Sequence, residues 1–384
     1  MKSIRVLQII DRLNVGGPAY LVSVLADRLD PSRFEQSLLA GSIDPSEGDY
    51  IALRAPDMPV ARVRGLGRAP RPSDDARAFA EISATIRRFR PHIVHTHKAK
   101  AGALGRPAAW LHRVPATVHT FHGHLLHSYF SRPKTRALVA AESLLARPTS
   151  SLISIGERVR DELVAAGIGR PEQYTVVAPG VDLGHLPEPV AARRALGLPP
   201  HAPTVMFVGR LTAVKRPDRF VDMALELARS DTHTQFAVAG DGDLAHSVRA
   251  RAKPLGERMS FLGWRGDIHN VYAASDVVVL TSDNEGMPVS LIETAASGRP
   301  AVTTDVGSAR EVVVDGVTGY VTPKDACALA RAVDKLLSEE TLRASMGGAA
   351  ATRAKEHFGA DRLASEISTL YETLAATHPR RVQR

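Results

Sequence analysis

The chain has 384 residues, 44% of them hydrophobic, and a formal net charge of +8. That length and apolar content support two domains of ordinary size with substantial cores. Its single cysteine, Cys327, excludes an internal disulfide, fits a reducing compartment, and reads as a small buried apolar residue. No run of 18 or more apolar residues appears, and Met1 to Gln8 leads straight into a strand without the apolar core of a signal peptide. The expectation is a cytoplasmic protein that does not span a membrane.

Apolar, β-type runs alternate with helical patterns from end to end, the signature of doubly wound parallel sheets in an α/β protein. In the first half the strands fall near Ile4 to Ile9, Gln36 to Ala40, Val60 to Val63, Ile93 to Thr96, Thr117 to His119, Leu152 to Ser154 and Thr175 to Val177. Helices fill the gaps, most clearly Pro18 to Leu29, Ser73 to Phe89 and Glu157 to Ala166. Between Pro179 and Pro203 the pattern breaks on a cluster of prolines, which marks residues 181 to 203 as an interdomain linker. A second series follows, with strands near Val205 to Val208, Phe236 to Ala239, Met259 to Leu262, Val277 to Leu280, Ala301 to Thr303 and Gly319 to Thr322. The division expected is residues 1 to 180, then 204 to 355, with 356 to 384 holding a final amphipathic helix and a basic tail. Ligands of such sheets bind at the carboxyl ends of the strands, here in a central cleft that the two domains face.

Charge is unevenly placed. Residues 1 to 180 hold 25 Lys and Arg against 16 Asp and Glu, and Ile86 to Arg147 hold eleven basic residues and one acid, Glu142. Such a surface attracts anionic lipid headgroups, a pyrophosphate-linked acceptor or nucleic acid, or is simply an Arg-rich solvated face. Aromatic residues are only 5% and no recognition motif stands out, which argues against nucleic acid. Between His124 and Arg147, apolar Leu125, Leu126, Tyr129, Phe130, Leu138, Leu144 and Leu145 are mixed with Arg132, Lys134 and Arg136, so this segment could lie on an anionic membrane or pack as a core-facing helix.

Eight of the fifteen histidines fall between His92 and His127, including His95-x-His97 and His122-x-His124. Alternation on a strand puts the members of an H-x-H pair on one face, as a metal site requires. No cysteine and no nearby acid completes a ligand set, so no metal is assigned. Gly240-Asp241-Gly242-Asp243 imitates a D-x-D metal motif, but it lies where Asp243 would serve as a helix N-cap.

The segment Thr281 to Glu293, TSDNEGMPVSLIE, carries most information. Pro288 suits the first turn of a helix running through Ser297 to a stop at Gly298. The free N–H groups of that helix start favour a diphosphate, while Glu285 ahead of it and Glu293 on its second turn can accept hydrogen bonds from sugar hydroxyls. Gly286 and Met287 would offer backbone N–H groups, and Glu293 should be exposed to the cleft. Arg210 and Lys215, after the strand Val205 to Val208, could reach the same diphosphate and stabilise charge on a departing nucleoside diphosphate.

This segment resembles the E-x7-E motif of retaining glycosyltransferases of family 4 (GT4), which have the two-domain GT-B fold. Further matches occur in family order: IRVLQIIDRLNVGGPAY with Gly16 and Gly17, ATVHTFHGH, VMFVGRLTAVKRPD, FLGWRGDI, and TTDVGSAREVVVDGVTGYVTP. The resemblance implies that Glu293 holds the donor's ribose hydroxyls, that Glu285 contacts the transferred sugar, and that His122 lies near that sugar. It implies front-face substitution with no enzymic nucleophile and no metal, and a final helix that returns to the first domain. The reading is a sugar transfer from a nucleoside-diphosphate donor, by analogy UDP, to an acceptor hydroxyl in surface polysaccharide or glycolipid synthesis, at the inner face of the plasma membrane if the basic domain docks there. No cofactor is expected beyond the donor. A GT-B-fold sugar-nucleotide epimerase and a basic nucleic-acid-binding protein are the alternatives. Asn14-Val15-Gly16-Gly17-Pro18 lacks the G-x-G-x-x-G of a nicotinamide enzyme.

Overall fold

The structure is a computed structural model that describes residues 3–44, 47–67, 71–123 and 132–377. It divides into two compact units, Met1–Pro179 with Ala360–Arg384, and Gly180–Gly359.

The first unit carries strands β1 (Ile4–Ile10), β2 (Phe34–Ala40), β3 (Ala61–Arg62), β4 (Ile93–His97), β5 (Ala116–Phe121), β6 (Ser151–Ser154) and β7 (Tyr174–Val176). Between them run helices α1 (Gly17–Arg28), α2 (Tyr50–Arg54), α3 (Pro72–Phe89), α4 (Ala99–Leu111), α5 (Arg132–Ala146) and α6 (Glu157–Ala165). The second unit holds β8 (Thr204–Val208), β9 (Gln235–Ala239), β10 (Met259–Gly263), β11 (Val277–Leu280), β12 (Ala301–Thr304) and β13 (Gly319–Thr322). Its helices are α7 (Pro189–Ala195), α8 (Pro217–Leu227), α9 (Ala245–Arg251), α10 (Ile268–Ala274), α11 (Val289–Ala296), α12 (Ala309–Val312), α13 (Ala326–Ser338) and α14 (Glu340–His357). Helix α15 (Ala360–Thr377) returns to the first unit.

Both sheets are parallel, in the orders β3-β2-β1-β4-β5-β6-β7 and β10-β9-β8-β11-β12-β13. Each order reverses once, between β1 and β4 and between β8 and β11, and loops at such a switch point open a crevice at the strand ends. The strands read as continuous apolar runs because both faces are covered. In β1, Val6 packs with Leu25 of α1 and with Leu363, Ile367 and Tyr371 of α15, while Leu7 and Ile9 pack under α3 and α4. Burying Leu363 and Ile367 stabilises the docked α15 by roughly 1.5–3 kcal/mol each.

Helix α4 fills the gap between β4 and β5 although Gly102, Gly105 and Pro107 lie within it. Its small residues let it press on the sheet: a Cβ at Gly102 would stand 2.6 Å from Cε1 of His119. Residues 181 to 203 differ from the expected linker. They belong to the second unit, where Ala192, Leu196 and Leu198 are buried with Tyr272 and Val278. Arg193 fastens them, bonding the Asp276 carboxylate at 2.6 Å and the Ala274 carbonyl at 3.0 Å. Pro189, read as a breaker, instead starts α7 at the position where its missing N–H is harmless. The second unit also keeps residues 356 to 359, because Val181 N–H donates to the Phe358 carbonyl at 2.7 Å.

Two smaller expectations are corrected. Cys327 is exposed rather than buried, since it lies on the first turn of α13 away from the buried stripe of Leu329, Ala330, Val333 and Leu336. Asp243 does not cap α9, which starts at Ala245 with no side-chain cap. The loop is held instead by Leu211, whose N–H donates to Asp241 O at 2.9 Å and whose carbonyl accepts from Leu244 N at 2.9 Å. His124, Leu125, Leu126, Tyr129, Phe130 and the basic tail from Pro379 lie outside the described residues.

Candidate active site

At the switch point of the second sheet, β8 is followed by Gly209 and Arg210, and a 3-10 turn at Ala213–Lys215 leads into α8. Arg216 takes a left-handed conformation (φ 50°) to make the corner, a strained choice for a residue with a Cβ. The loop after β11 closes on this corner. Lys215 Nζ donates to Glu285 Oε1 at 2.5 Å, and the Ser282 hydroxyl donates to the same oxygen at 2.5 Å. Asp283 N–H donates to the Val214 carbonyl at 2.8 Å, and Thr281 Oγ1 lies 2.9 and 2.8 Å from the carbonyls of Lys215 and Arg216. The Asp283 carboxylate accepts from Arg219 at 2.7 Å and Arg216 at 3.1 Å. Burial alone would raise the Asp283 carboxyl, but those two guanidinium bonds outweigh it and hold it below the usual carboxylate value. The two loops therefore form one cross-braced surface, with Arg210 half-buried at its start.

Pro288 stands one residue ahead of α11, extended at φ −75°, and its carbonyl accepts the Leu291 N–H at 3.0 Å. Gly298, at φ 69°, ends the helix as its sequence predicts. Met287 is buried and Gly286 half-buried. Beneath them the loop after β12 passes so close that a Cβ on Gly307 would stand 1.9 Å from the Glu285 carbonyl oxygen, and Ser308 N–H donates to the Gly286 carbonyl at 2.8 Å. Gly307, at φ 47°, thus supports Glu285 from below. Glu293 departs from expectation: it is 4% exposed, and its Oε2 accepts the Tyr272 hydroxyl at 2.7 Å. Helix α11 is packed around most of its circumference, with Leu291, Ile292 and Thr294 fully covered, so its second turn presents little to solvent.

The site residues of the first unit follow its own switch point. Gly16 precedes α1, Gly17 is its first residue, and Pro18 occupies its first turn. Across from them Lys98, between β4 and α4, takes a region of backbone space nearly reserved for glycine (φ 67°, ψ 163°). Its Nζ lies 3.1 Å from Asp11 Oδ1 and 3.0 Å from Asn14 Oδ1, while Arg12 pairs with Glu47 at 2.7 Å. Of these five, Asp11, Arg12 and Asn14 fall within the matched first segment, but sequence reasoning assigned a role to none of the five, nor to Ser282, Asp283, Tyr272 or Gly307. Ser282, Asp283 and Gly307 fall within segments already matched, TSDNEGMPVSLIE and TTDVGSAREVVVDGVTGYVTP, whereas nothing local marked Tyr272.

The histidines are internal hydrogen-bond partners. His95 lies 2.6 Å from the Tyr371 hydroxyl and 2.7 Å from Thr120 Oγ1; His119 Nδ1 lies 2.8 Å from Thr96 Oγ1. His97 lies 3.1 Å from His122 and 3.2 Å from Gln8 Oε1. Among the described residues no group of three His, Cys, Asp or Glu is placed to hold a metal ion. Burial pushes His95 down to about 3, and lowers His97 and His119 well below 6.5. His122 is likewise lowered to about 3, by burial first and then by the Lys98 charge and His95. The unfolded chain takes up protons below pH 6.5 that the folded chain refuses. Stability is therefore full above pH 6.5 and falls toward pH 3, by about 1.4 kcal/mol per pH unit for each such imidazole. Denaturant titrations at pH 7 and pH 5 check this; His95→Asn should flatten the loss.

Two family models match the chain: the glycosyl transferase 4-like domain over residues 16–180 and glycosyl transferases group 1 over residues 202–339. A UDP-Gal:alpha-D-GlcNAc-diphosphoundecaprenol alpha-1,3-galactosyltransferase of Escherichia coli is 29% identical over 256 residues, 64% of this chain and 66% of the relative. A D-inositol 3-phosphate glycosyltransferase of Corynebacterium aurimucosum is 28% identical over 386 residues, 93% of this chain and 91% of the relative. In fold, the chain is similar to HepE of Anabaena, solved in complex with UDP and glucose, with a TM-score of 0.81, 22% identity, and coverage of 95% of this chain and 99% of that one. The two parallel sheets and their flanking helices have the GT-B architecture, and the chain belongs to the GT4-type glycosyltransferases.

Proposed function

We propose that the chain is a retaining, metal-independent transferase that moves a sugar from a UDP-sugar to an acceptor hydroxyl. The observation that carries this reading is the cross-braced Lys215–Glu285 pair beside the start of α11, which sets a cation for diphosphate next to a carboxylate for sugar hydroxyls. Arg210 and Lys215 stabilise the negative charge that grows on the departing diphosphate. The N–H groups of Gly286 and Met287 face the same negative charge at the helix start. Glu285 fixes the transferred sugar, and Glu293, aimed by Tyr272, takes the ribose hydroxyls. Gly16 and Gly17 let the first loop approach the donor, and His122 contacts the transferred sugar. The relatives' names support the donor class: one uses UDP-Gal, and HepE was crystallised with UDP.

Calorimetric titration of wild type and Glu293→Ala with UDP, GDP and ADP, without metal, tests the reading. UDP should bind and weaken at least tenfold in Glu293→Ala, about 1.4 kcal/mol. No nucleotide binding by the wild type would sink the proposal.

The acceptor is a lipid-linked sugar at an anionic membrane surface, a reading that rests on α5. That helix exposes Arg132, Lys134, Arg136 and Leu144, the last 60% exposed. No described helix is long and apolar enough to cross a membrane. The protein should float with anionic vesicles at low salt and not with neutral ones; charge reversal of Arg132, Lys134 and Arg136 should abolish flotation.

A further inference from the structure

The polar side chains of the first sheet form one continuous hydrogen-bonded chain, and its half-buried end at Gln36 favours one direction. There the Ala26 carbonyl of α1 can only accept, and the Gln36 amide nitrogen lies 3.5 Å from it. Gln36 Oε1 is then turned toward Gln8, whose amide nitrogen donates to it at 3.2 Å. That leaves Gln8 Oε1, another pure acceptor, 3.2 Å from His97 Nε2, so His97 carries its hydrogen on Nε2. A neutral imidazole has one N–H, so His97 Nδ1 is a bare acceptor, and it faces His122 Nε2 at 3.1 Å. By the same count His122 carries its hydrogen on Nε2 and keeps a lone pair on Nδ1. Turning both amides would reverse the chain, but it would set two acceptor oxygens 3.5 Å apart at Ala26 with no hydrogen between them. Gln8 is 1% exposed and His97 fully covered, so water does not substitute for either partner. His95 stacks on His97 with ring centroids 4.1 Å apart and has both its own nitrogens committed to Tyr371 and Thr120, which holds the ring in place.

We propose that Gln8 and His97 are positioning residues that fix His122 as the Nε2–H tautomer, so that its Nδ1 accepts a hydrogen bond from a hydroxyl of the transferred sugar. This rests on the reading of His122 as a sugar contact. An imidazole fixed in this way selects a hydroxyl that points its hydrogen at the ring, and it cannot donate to a sugar oxygen from that side.

The test is long-range proton–nitrogen correlation on the uniformly nitrogen-15-labelled full chain at neutral pH, with the His122 signals identified by their loss in His122→Gln. A protonated Nε2 and a bare Nδ1 are expected; a protonated Nδ1 overturns the proposal. In Gln8→Leu the His97 acceptor is gone, so the His122 signals should shift to a mixture of tautomers. In the same variant kcat for UDP release from UDP-glucose should fall about five- to tenfold with KM nearly unchanged. An unaltered His122 tautomer in Gln8→Leu also overturns the proposal, and if that variant fails to fold the wild-type spectrum decides alone. Undiminished turnover in His122→Gln, with the tautomer as expected, removes the sugar contact and with it the catalytic half of the proposal.

Discussion

Lys215→Ala should lower kcat/KM for sugar transfer by about a hundred- to a thousandfold, roughly 3–4 kcal/mol, because it removes a preorganised cation from the place where the leaving group gains charge. The sharper result concerns its partner. Glu285→Gln should also impair transfer, yet it should tighten binding of UDP alone by about fivefold, on the order of 1 kcal/mol. In the present structure the Lys215 charge is engaged by Glu285 Oε1 at 2.5 Å, and a diphosphate must share that lysine with the carboxylate. Removing the negative charge leaves Lys215 wholly to the phosphate, while the hydroxyls of the sugar lose their acceptor. Opposite signs for product affinity and turnover in one variant would mark competition for a single cation. Weaker UDP binding in Glu285→Gln would show that the pair does not compete with phosphate at all. In the double variant Lys215→Ala, Glu285→Gln the gain in UDP binding should vanish, since both arms act through one lysine.

The largest stability effect is expected at Arg106. It lies on α4 and is fully buried, where its Nη2 pairs with Glu142 of α5 at 2.6 Å and its Nε donates to the Gly102 carbonyl at 3.1 Å. Arg106→Leu leaves the Glu142 carboxylate, 13% exposed, without its counter-ion, and should cost about 3–5 kcal/mol. Adding Glu142→Leu should restore most of that loss, because two apolar side chains can replace a buried pair at little net cost. Denaturant unfolding followed by probes in each unit separately checks both claims, since two units need not melt in one step. A loss below about 1 kcal/mol in the single variant would mean that solvent already screens the pair.

The strands were legible because parallel strands covered on both faces are uninterrupted apolar runs, and β11, Val277–Leu280, lies where the sequence puts it. The loop carrying Glu285 was legible because its chemistry is local: a carboxylate, a Gly-Met-Pro turn and a helix start within a dozen residues. What stayed hidden depends on partners distant in sequence. Tyr272 reaches Glu293 across 21 residues, Lys215 reaches Glu285 across 70, and His95 finds Tyr371 across 276, and no local pattern announces such pairs. The partners of the histidines were hidden for the same reason: their spacing was visible, but their bonds go to Gln8, Thr96, Thr120 and Tyr371. Proline was misread between residues 181 and 203 because it both breaks helices and begins them.

The return of α15 has a consequence for how the protein is made. The second unit is one uninterrupted stretch of chain, whereas the first is completed only by residues 360 to 377, which supply Leu363, Ile367 and Tyr371 to its core. During synthesis the unit translated first therefore waits for its last helix while the whole of the other unit emerges, roughly 10–40 seconds at ordinary elongation rates. The order of completion is the reverse of the order of translation, and for that interval the apolar groove beneath Val6, Leu25 and Phe34 stands open to whatever the nascent chain meets.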